Sequence, residues 1–232
     1  MNVLAFDTCF GACSVAVRRE TARGEVIVRE EYEERTTGHA EALIPMIERV
    51  MAGALLAFKD VDRIAVTEGP GTFTGVRIGV ATARGLALAL GKPIVALSSL
   101  MVMALRAEQL MRSRPPGQRL AVCVDARKGQ LYVQMFGENA GDAFGPPELL
   151  TPSQVLDRLA GSPFIAVGSG AAAVLAAATI GATPEVRLPS LEPHARMLAI
   201  IAPGLPIRPK LSPMYLRAPD AKPPARLGLL TR

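Results

Sequence analysis

Thr67-Glu68-Gly69-Pro70-Gly71-Thr72-Phe73-Thr74-Gly75-Val76-Arg77-Ile78-Gly79 is the stretch that decides how this chain is read. The apolar run Ile64-Ala65-Val66 enters it, and a helical pattern reaching Leu90 leaves it. A glycine-rich turn feeding a helix N-terminus leaves backbone N–H groups aimed at one spot, a natural anion site. The same glycines equally suit a strand-to-helix turn that packs tightly. No Gly-Lys-Ser/Thr follows, so the segment is not a P-loop. On spacing alone, cradle and structural turn both stay open.

Outward from this segment, the 232 residues suit one large domain or two small lobes. Half of them are hydrophobic and 20% are charged, enough to bury a core and too apolar for disorder. Trp is absent and aromatics are few, which argues against a base-stacking surface. The net charge of +5 suits an RNA-associated protein, but Arg far outnumbers Lys and the basic residues are scattered. Cys9, Cys13 and Cys123 have no metal-ligand spacing and read as small buried hydrophobes in a reducing compartment. The N-terminus reads as a strand rather than a signal peptide. The apolar helix Val76–Leu90 carries Arg77 and Arg84 and reads as too short for a bilayer. The expectation is a soluble cytoplasmic chain with no membrane partner.

Val3-Leu4-Ala5-Phe6 ends at Asp7-Thr8 as a buried strand, and Ser14-Val15-Ala16-Val17 returns antiparallel after a turn at Gly11. Glu25-Val26-Ile27-Val28 begins a third strand, and Thr36 or Thr37 caps a helix over His39–Phe58. Pro93–Leu97 is a strand, and Ser98 and Ser99 cap a third helix that fades into Arg112-Ser113-Arg114-Pro115-Pro116-Gly117. Beyond this stretch the opening pattern recurs. Leu120–Val124 runs into Asp125, and Leu131–Phe136 returns. A helix near Ser153–Leu159, a strand at Phe164–Val167 and Gly168-Ser169-Gly170 before an Ala-rich helix repeat the grammar of the first half. The repeat points to a duplicated α/β fold: an N-terminal lobe over 1–112, a smaller lobe over 117–217 with a cleft between, and a mobile Pro- and Arg-containing tail over 218–232. Asp also follows strands simply as a turn former, so the repeat alone leaves that reading open.

Chemistry is sparse. His39 lies in His39-Ala40-Glu41-Ala42-Leu43, where a helical metal site would need a second His at Leu43. No Ser/His/Asp or Cys/His set is visible. Asp7 with Thr8, and Asp125 beside Arg127 and Lys128, could orient a metal-bound phosphate or could form structural turns and ion pairs. Ile44, Met46, Ile47, Val50 and Met51 make the first helix apolar over more than the stripe needed to pack on one sheet. Gly75, Gly79 and Ala83, four apart, would let another backbone come close to the second helix. The two helices thus suit either a partner interface or burial within the monomer. Pro45 inside the first helix removes a hydrogen bond and should bend it.

Ala5-Phe6-Asp7-Thr8, His39-Ala40-Glu41-Ala42-Leu43-Ile44-Pro45, the Gly69–Gly79 segment, Asp125-Ala126-Arg127-Lys128 with Tyr132, and Pro213-Met214-Tyr215-Leu216-Arg217 together resemble the TsaB (YeaZ) family. The resemblance implies a duplicated actin-like (ASKHA, ribonuclease-H-like) fold with two hairpin-led lobes. It implies a non-catalytic partner of TsaD that acts with TsaE in moving threonylcarbamoyl from threonylcarbamoyl-AMP to the adenosine beside the tRNA anticodon, with the metal held by TsaD. It further implies a helix-bundle contact with TsaD through His39, Leu43, Met46, Ile47, Val50, Arg77, Ile78 and Thr82, and homodimers through the same surface when alone. A vestigial nucleotide or anion site would fall at Asp7, Thr8, Gly69, Gly71, Thr72, Asp125, Gly168 and Gly170. No cofactor is implied for the isolated chain, with weak ATP or ADP binding confined to the complex. The alternative is a self-sufficient ASKHA-type ATPase or phosphotransferase, or a protease. These would need phosphate loops with a catalytic carboxylate, or a metal or nucleophile set.

Overall fold

A computed structural model describes residues 1–112, 114–178 and 184–217. The stretch 218–232, expected as a mobile tail, lies outside them. The first half runs β1 (Val3–Asp7), β2 (Ala12–Glu20), β3 (Val26–Glu34), α1 (His39–Gly53), β4 (Arg63–Thr67), α2 (Phe73–Leu90), β5 (Ile94–Leu97) and α3 (Ser99–Met111). The second runs β6 (Arg119–Asp125), β7 (Leu131–Phe136), β8 (Glu148–Leu150), α4 (Pro152–Arg158), β9 (Phe164–Val167), α5 (Ala171–Ala177), β10 (Glu185–Val186) and α6 (Ala195–Ile201).

The two halves build the same sheet. The first is ordered β3-β2-β1-β4-β5 and the second, read from its matching end, β8-β7-β6-β9-β10. In each, the leading three strands are antiparallel and the last two add in parallel. The central strand β1 is buried along its whole length, as a strand covered on both faces by helices must be.

Local chemistry sets most helix ends. The Thr72 hydroxyl accepts the Gly75 N–H at the start of α2, and Gly91 closes that helix in the left-handed region. The Ser98 hydroxyl accepts the Met101 N–H for α3. Thr151 and Gln154 form a reciprocal capping box on α4 with Pro152 in its first turn. At α1 the expected threonine cap is absent. The helix starts from Gly38 in a left-handed conformation with no side-chain cap, and it stops at Gly53 rather than Phe58. The chain there breaks at Leu55 (φ 50°), and Phe58–Asp60 form a separate single turn.

The last helix of each half is exchanged. α3 packs on β6 and β7 of the second sheet, whereas α6 packs on β1, β2 and β4 of the first. Leu100, Met103, Ala104 and Ala107 of α3 share a core with Leu120, Val122 and Phe136. Ala195, Leu198 and Ala199 of α6 share one with Val3, Ala5, Ala16 and Ala65. Each large side chain buried this way contributes about 1.5–3 kcal/mol. Polar contacts fix the exchange: Ser14 Oγ accepts the Ala195 N–H at 3.0 Å, and Arg63 Nη1 donates to the carbonyls of Ala202, Pro203 and Leu205. The expected second lobe of 117–217 therefore ends in a segment that lies on the first sheet. The lobes also meet directly, through the Phe10 and Tyr132 rings 6.3 Å apart and a buried Ser98–Gln134 hydrogen bond of 2.8 Å.

Candidate functional site

In the first lobe the turn after β1 and the glycine-rich turn after β4 close on each other. Asp7 is fully buried. Its Oδ1 accepts from the Thr67 hydroxyl at 2.5 Å and its Oδ2 from the Cys9 N–H at 3.3 Å. Burial is the main cause that pushes its carboxyl above the usual range, against those hydrogen bonds. The Thr8 hydroxyl donates to the Gly75 carbonyl at 2.7 Å, and the Thr72 N–H donates to the Cys9 carbonyl at 2.8 Å. A Cβ at Gly71 would stand 2.5 Å from the Cys9 carbonyl, and one at Gly75 would overlap the Thr8 carbonyl. The second lobe repeats the device. The Gly170 N–H donates to the Cys123 carbonyl at 2.9 Å, and a Cβ at Gly168 (φ 90°) would lie 2.6 Å from that oxygen. In both lobes, then, an N–H at a helix start is engaged by a carbonyl of the chain itself, from the turn after β1 in the first and from within β6 in the second.

Asp7, Thr8, Gly69, Gly71 and Thr72 thus converge, and Asp125, Gly168 and Gly170 form the matching group. The two aspartates differ. Asp125 is exposed, its Oδ1 accepts the Arg127 N–H at 2.7 Å, and its own N–H donates to Ser169 Oγ. That is a side-chain-stabilised turn.

What approaches Gly75 and Gly79 is the chain's own Thr8, its backbone carbonyl at Gly75 and its hydroxyl at Gly79, rather than a partner's backbone. The first helix differs likewise from expectation. His39, Leu43, Met46, Ile47 and Val50 are all buried in the lobe's own core, and His39 Nε2 lies 3.0 Å from the Phe10 carbonyl. Six apolar residues of α1 fit beneath it, so the wide stripe is consumed by its own sheet and neighbours. Of the expected contact residues, Arg77 is exposed and Ile78 and Thr82 are half-buried. They belong to an outer face that includes Phe73 (44% exposed), Ala81 and Leu88 (87% exposed) on α2, beside Ile44 (44% exposed) on α1. α2 is 18 residues long and, among the described residues, is the helix long and apolar enough to cross a membrane, so its length does not exclude that. Gly75, Val76, Gly79, Val80 and Ala83 face the core, while Ala81, Leu88 and Ala89 are exposed on the outer side beside Arg77 and Arg84.

Two further features join segments distant in the chain. The carboxyl of Glu192 sits over Gly11, accepting its N–H at 3.3 Å, and burial and then the charge of Asp7 push it up to about 7. Nothing local in Leu191-Glu192-Pro193 signals this. The segment 205–217 is a strap: Ile207 bridges Val95, Arg208 pairs with Glu68 at 3.0 Å and the Met214 N–H reaches the Glu68 carbonyl. Tyr215 accepts from Arg77 Nε at 2.7 Å, and the Arg77 guanidinium lies 3.6 Å over the Phe73 ring. Arg217 ends the strap on the β6–β7 turn, donating to the carbonyls of Ala126 and Arg127 and to Gln130 Oε1.

A twice-built 3-2-1-4-5 sheet with an aspartate at the end of each leading strand defines the duplicated actin-like (ASKHA) class. The family model for TsaD, tRNA N6-adenosine threonylcarbamoyltransferase, matches residues 33–183. The tRNA threonylcarbamoyladenosine biosynthesis protein TsaB of Haemophilus influenzae is 33% identical over 183 residues, 75% of this chain and 74% of that protein. Its Escherichia coli counterpart is 31% identical over 178 residues, 73% and 72% of the two chains. The solved structure of YeaZ from Pseudomonas aeruginosa superposes with a TM-score of 0.78 at 31% identity, covering 93% of this chain and 99% of that one. The chain belongs to the TsaB (YeaZ) family.

Proposed function

We propose that this chain is a non-catalytic scaffold subunit in the formation of threonylcarbamoyladenosine in tRNA, which binds and activates TsaD. The observation that carries this reading is the face of α2: its glycine side is locked into the lobe, and its outer side exposes Ala81, Leu88 and Ala89 beside Arg77 and Arg84. A long apolar helix face at a surface marks a site for a protein partner. The sealed state of Asp7 and the engaged N–H groups at Thr72 and Gly170 favour a scaffold over an ATPase or phosphotransferase, which must present such groups to phosphate oxygens. The proposed contact is centred on Arg77, Ile78, Ala81 and Thr82 with Ile44. The buried residues of α1 support it from beneath rather than touching the partner. A homodimer through the same face is the expected state when the partner is absent.

The test combines the purified chain with TsaD and TsaE of the same genome and measures complex formation and threonylcarbamoyl transfer to tRNA. Transfer that requires this chain is the expected result. Equal transfer without it, or rapid ATP turnover by the chain alone, overturns the reading.

A further inference from the structure

Where the exchanged helices meet, they leave a groove. The last turn of α3, the start of α6 and the edge strand β3 enclose about 450 Å3. Arg106, Arg112, His194 and Arg196 line it, facing the carboxylate of Glu30. Arg106 is held in place: its Nη1 donates to the Glu192 carbonyl at 2.8 Å and its guanidinium lies 5.1 Å from the Tyr32 ring centre. Tyr32 in turn stacks on His194, with ring centres 5.1 Å apart and planes 5° from parallel. Arg196 pairs with Glu30 at 3.2 Å, but both side chains are more than a third exposed, and such pairs are worth at most about 1 kcal/mol. Arg112 is exposed, and its side chain has no partner among the described residues. Three guanidinium groups line this groove against the one carboxylate of Glu30, and burial and then the Arg106 charge hold His194 below its usual range, with Glu30 acting the other way.

Guanidinium forks match phosphate oxygens in geometry and stay charged. Tyr32, between His194 and Arg106, offers no free ring to a base, so what fits is a backbone rather than a nucleobase. We propose that this groove receives phosphates of an RNA backbone through Arg112 and Arg196, with Arg106 as the fixed positive floor. That the RNA is tRNA rests on the function proposed above. The contact is independent of sequence, and the charge lost to counterion release makes it salt-dependent.

The experiment uses the full chain assembled with TsaD and a fluorescein-labelled, unmodified tRNA transcript, with anisotropy read across a salt series. The double variant Arg112→Gln/Arg196→Gln is expected to weaken binding about tenfold near ~0.1 M salt and to flatten the log–log salt slope by about 1 to 2. Glu30→Gln is expected to strengthen binding. Both sites are at the surface, and an unchanged elution volume of the assembled complex checks that the variants fold and bind TsaD. Unchanged affinity and slope in an intact complex overturn the proposal. So does millimolar pyrophosphate stabilising the chain against heat while the double variant leaves tRNA affinity intact, because that assigns the groove to a small anion. If no complex forms, the scaffold reading fails by itself, and the same variants measured on the chain alone still decide the groove.

Discussion

Gly75 lies against Thr8 so closely that no side chain fits between them, and the Thr8 hydroxyl donates back to the Gly75 carbonyl at 2.7 Å. This pair locks the second helix onto the first hairpin turn. Gly75→Ala forces Cβ into the Thr8 carbonyl and to 2.6 Å from the Thr72 capping hydroxyl. Overpacking against backbone costs about 1–3 kcal/mol or more, with about 2–4 °C lost in Tm for each kcal/mol in a chain of this size. Gly85, on the same helix, has open space around it, and Gly85→Ala is expected to stabilise by about 0.5–1 kcal/mol. Thermal unfolding of the two variants should therefore move in opposite directions.

Residues of α1 and α2 should separate by face. Met46 is fully buried, so Met46→Glu places an unpaired carboxylate in the core and is expected to give aggregated or unfolded chain by circular dichroism. Ala81 is exposed on α2, and Ala81→Glu should leave the stability within about 0.5 kcal/mol of the parent while abolishing co-elution with TsaD. Co-elution that survives Ala81→Glu would place the contact elsewhere.

Glu192 gives stability a pH dependence of definite sign. Its carboxyl is pushed up to about 7 in the folded chain, above the ordinary carboxylate range, so the folded state holds the proton more tightly. Its contribution is complete below the unfolded value and is lost as pH rises through about 7. Asp7, also raised, acts in the same sense, whereas His194, lowered, acts in the opposite one. Glu192→Gln should raise Tm at pH 8 relative to the parent and leave it nearly unchanged at pH 4. An equal shift at both pH values would rule out titration as the cause.

Arg217 clamps a turn in which Arg127, Lys128 and Gly129 all take positive φ. Arg217→Met removes three donated hydrogen bonds, each worth about 0.5–1.5 kcal/mol net. Hydrogen exchange should speed up across 126–130 while β1 and β4 stay protected. Uniform acceleration would mean that the strap stabilises the whole molecule rather than this turn.

The legible parts of this fold were those with local chemistry. Ser98 starts α3, α2 runs to Leu90 as its pattern predicts, and the recurrence of a strand ending in Asp at Asp7 and Asp125 reveals the duplication, because caps, turns and alternation are written in neighbouring residues. Facing was harder to read. Leu43, Met46, Ile47 and Val50 look surplus on a helical wheel, and only the depth of the lobe beneath shows that they fit inside. The spacing of Gly75 and Gly79 announces a close backbone without saying whose it is. β8 and β10 are too short to show a period, and Glu192 reaches Gly11 across 181 residues, beyond any pattern in the chain. The shared groove at Arg106, Arg112 and Arg196 joins two distant segments and leaves no motif.

The exchange of α3 and α6 governs how the molecule can be born. While the ribosome has delivered only the first half, the face of β1 and β2 that α6 will cover stands bare, with Val3, Ala5 and Ala16 open to water. That half must wait for residues 195–201, more than a hundred residues after β1 and β2 are made, before its core closes. A nascent chain of this kind is a natural client for a holding chaperone. It also has no point at which it can be cut into two self-sufficient pieces, although its architecture is that of one unit written twice.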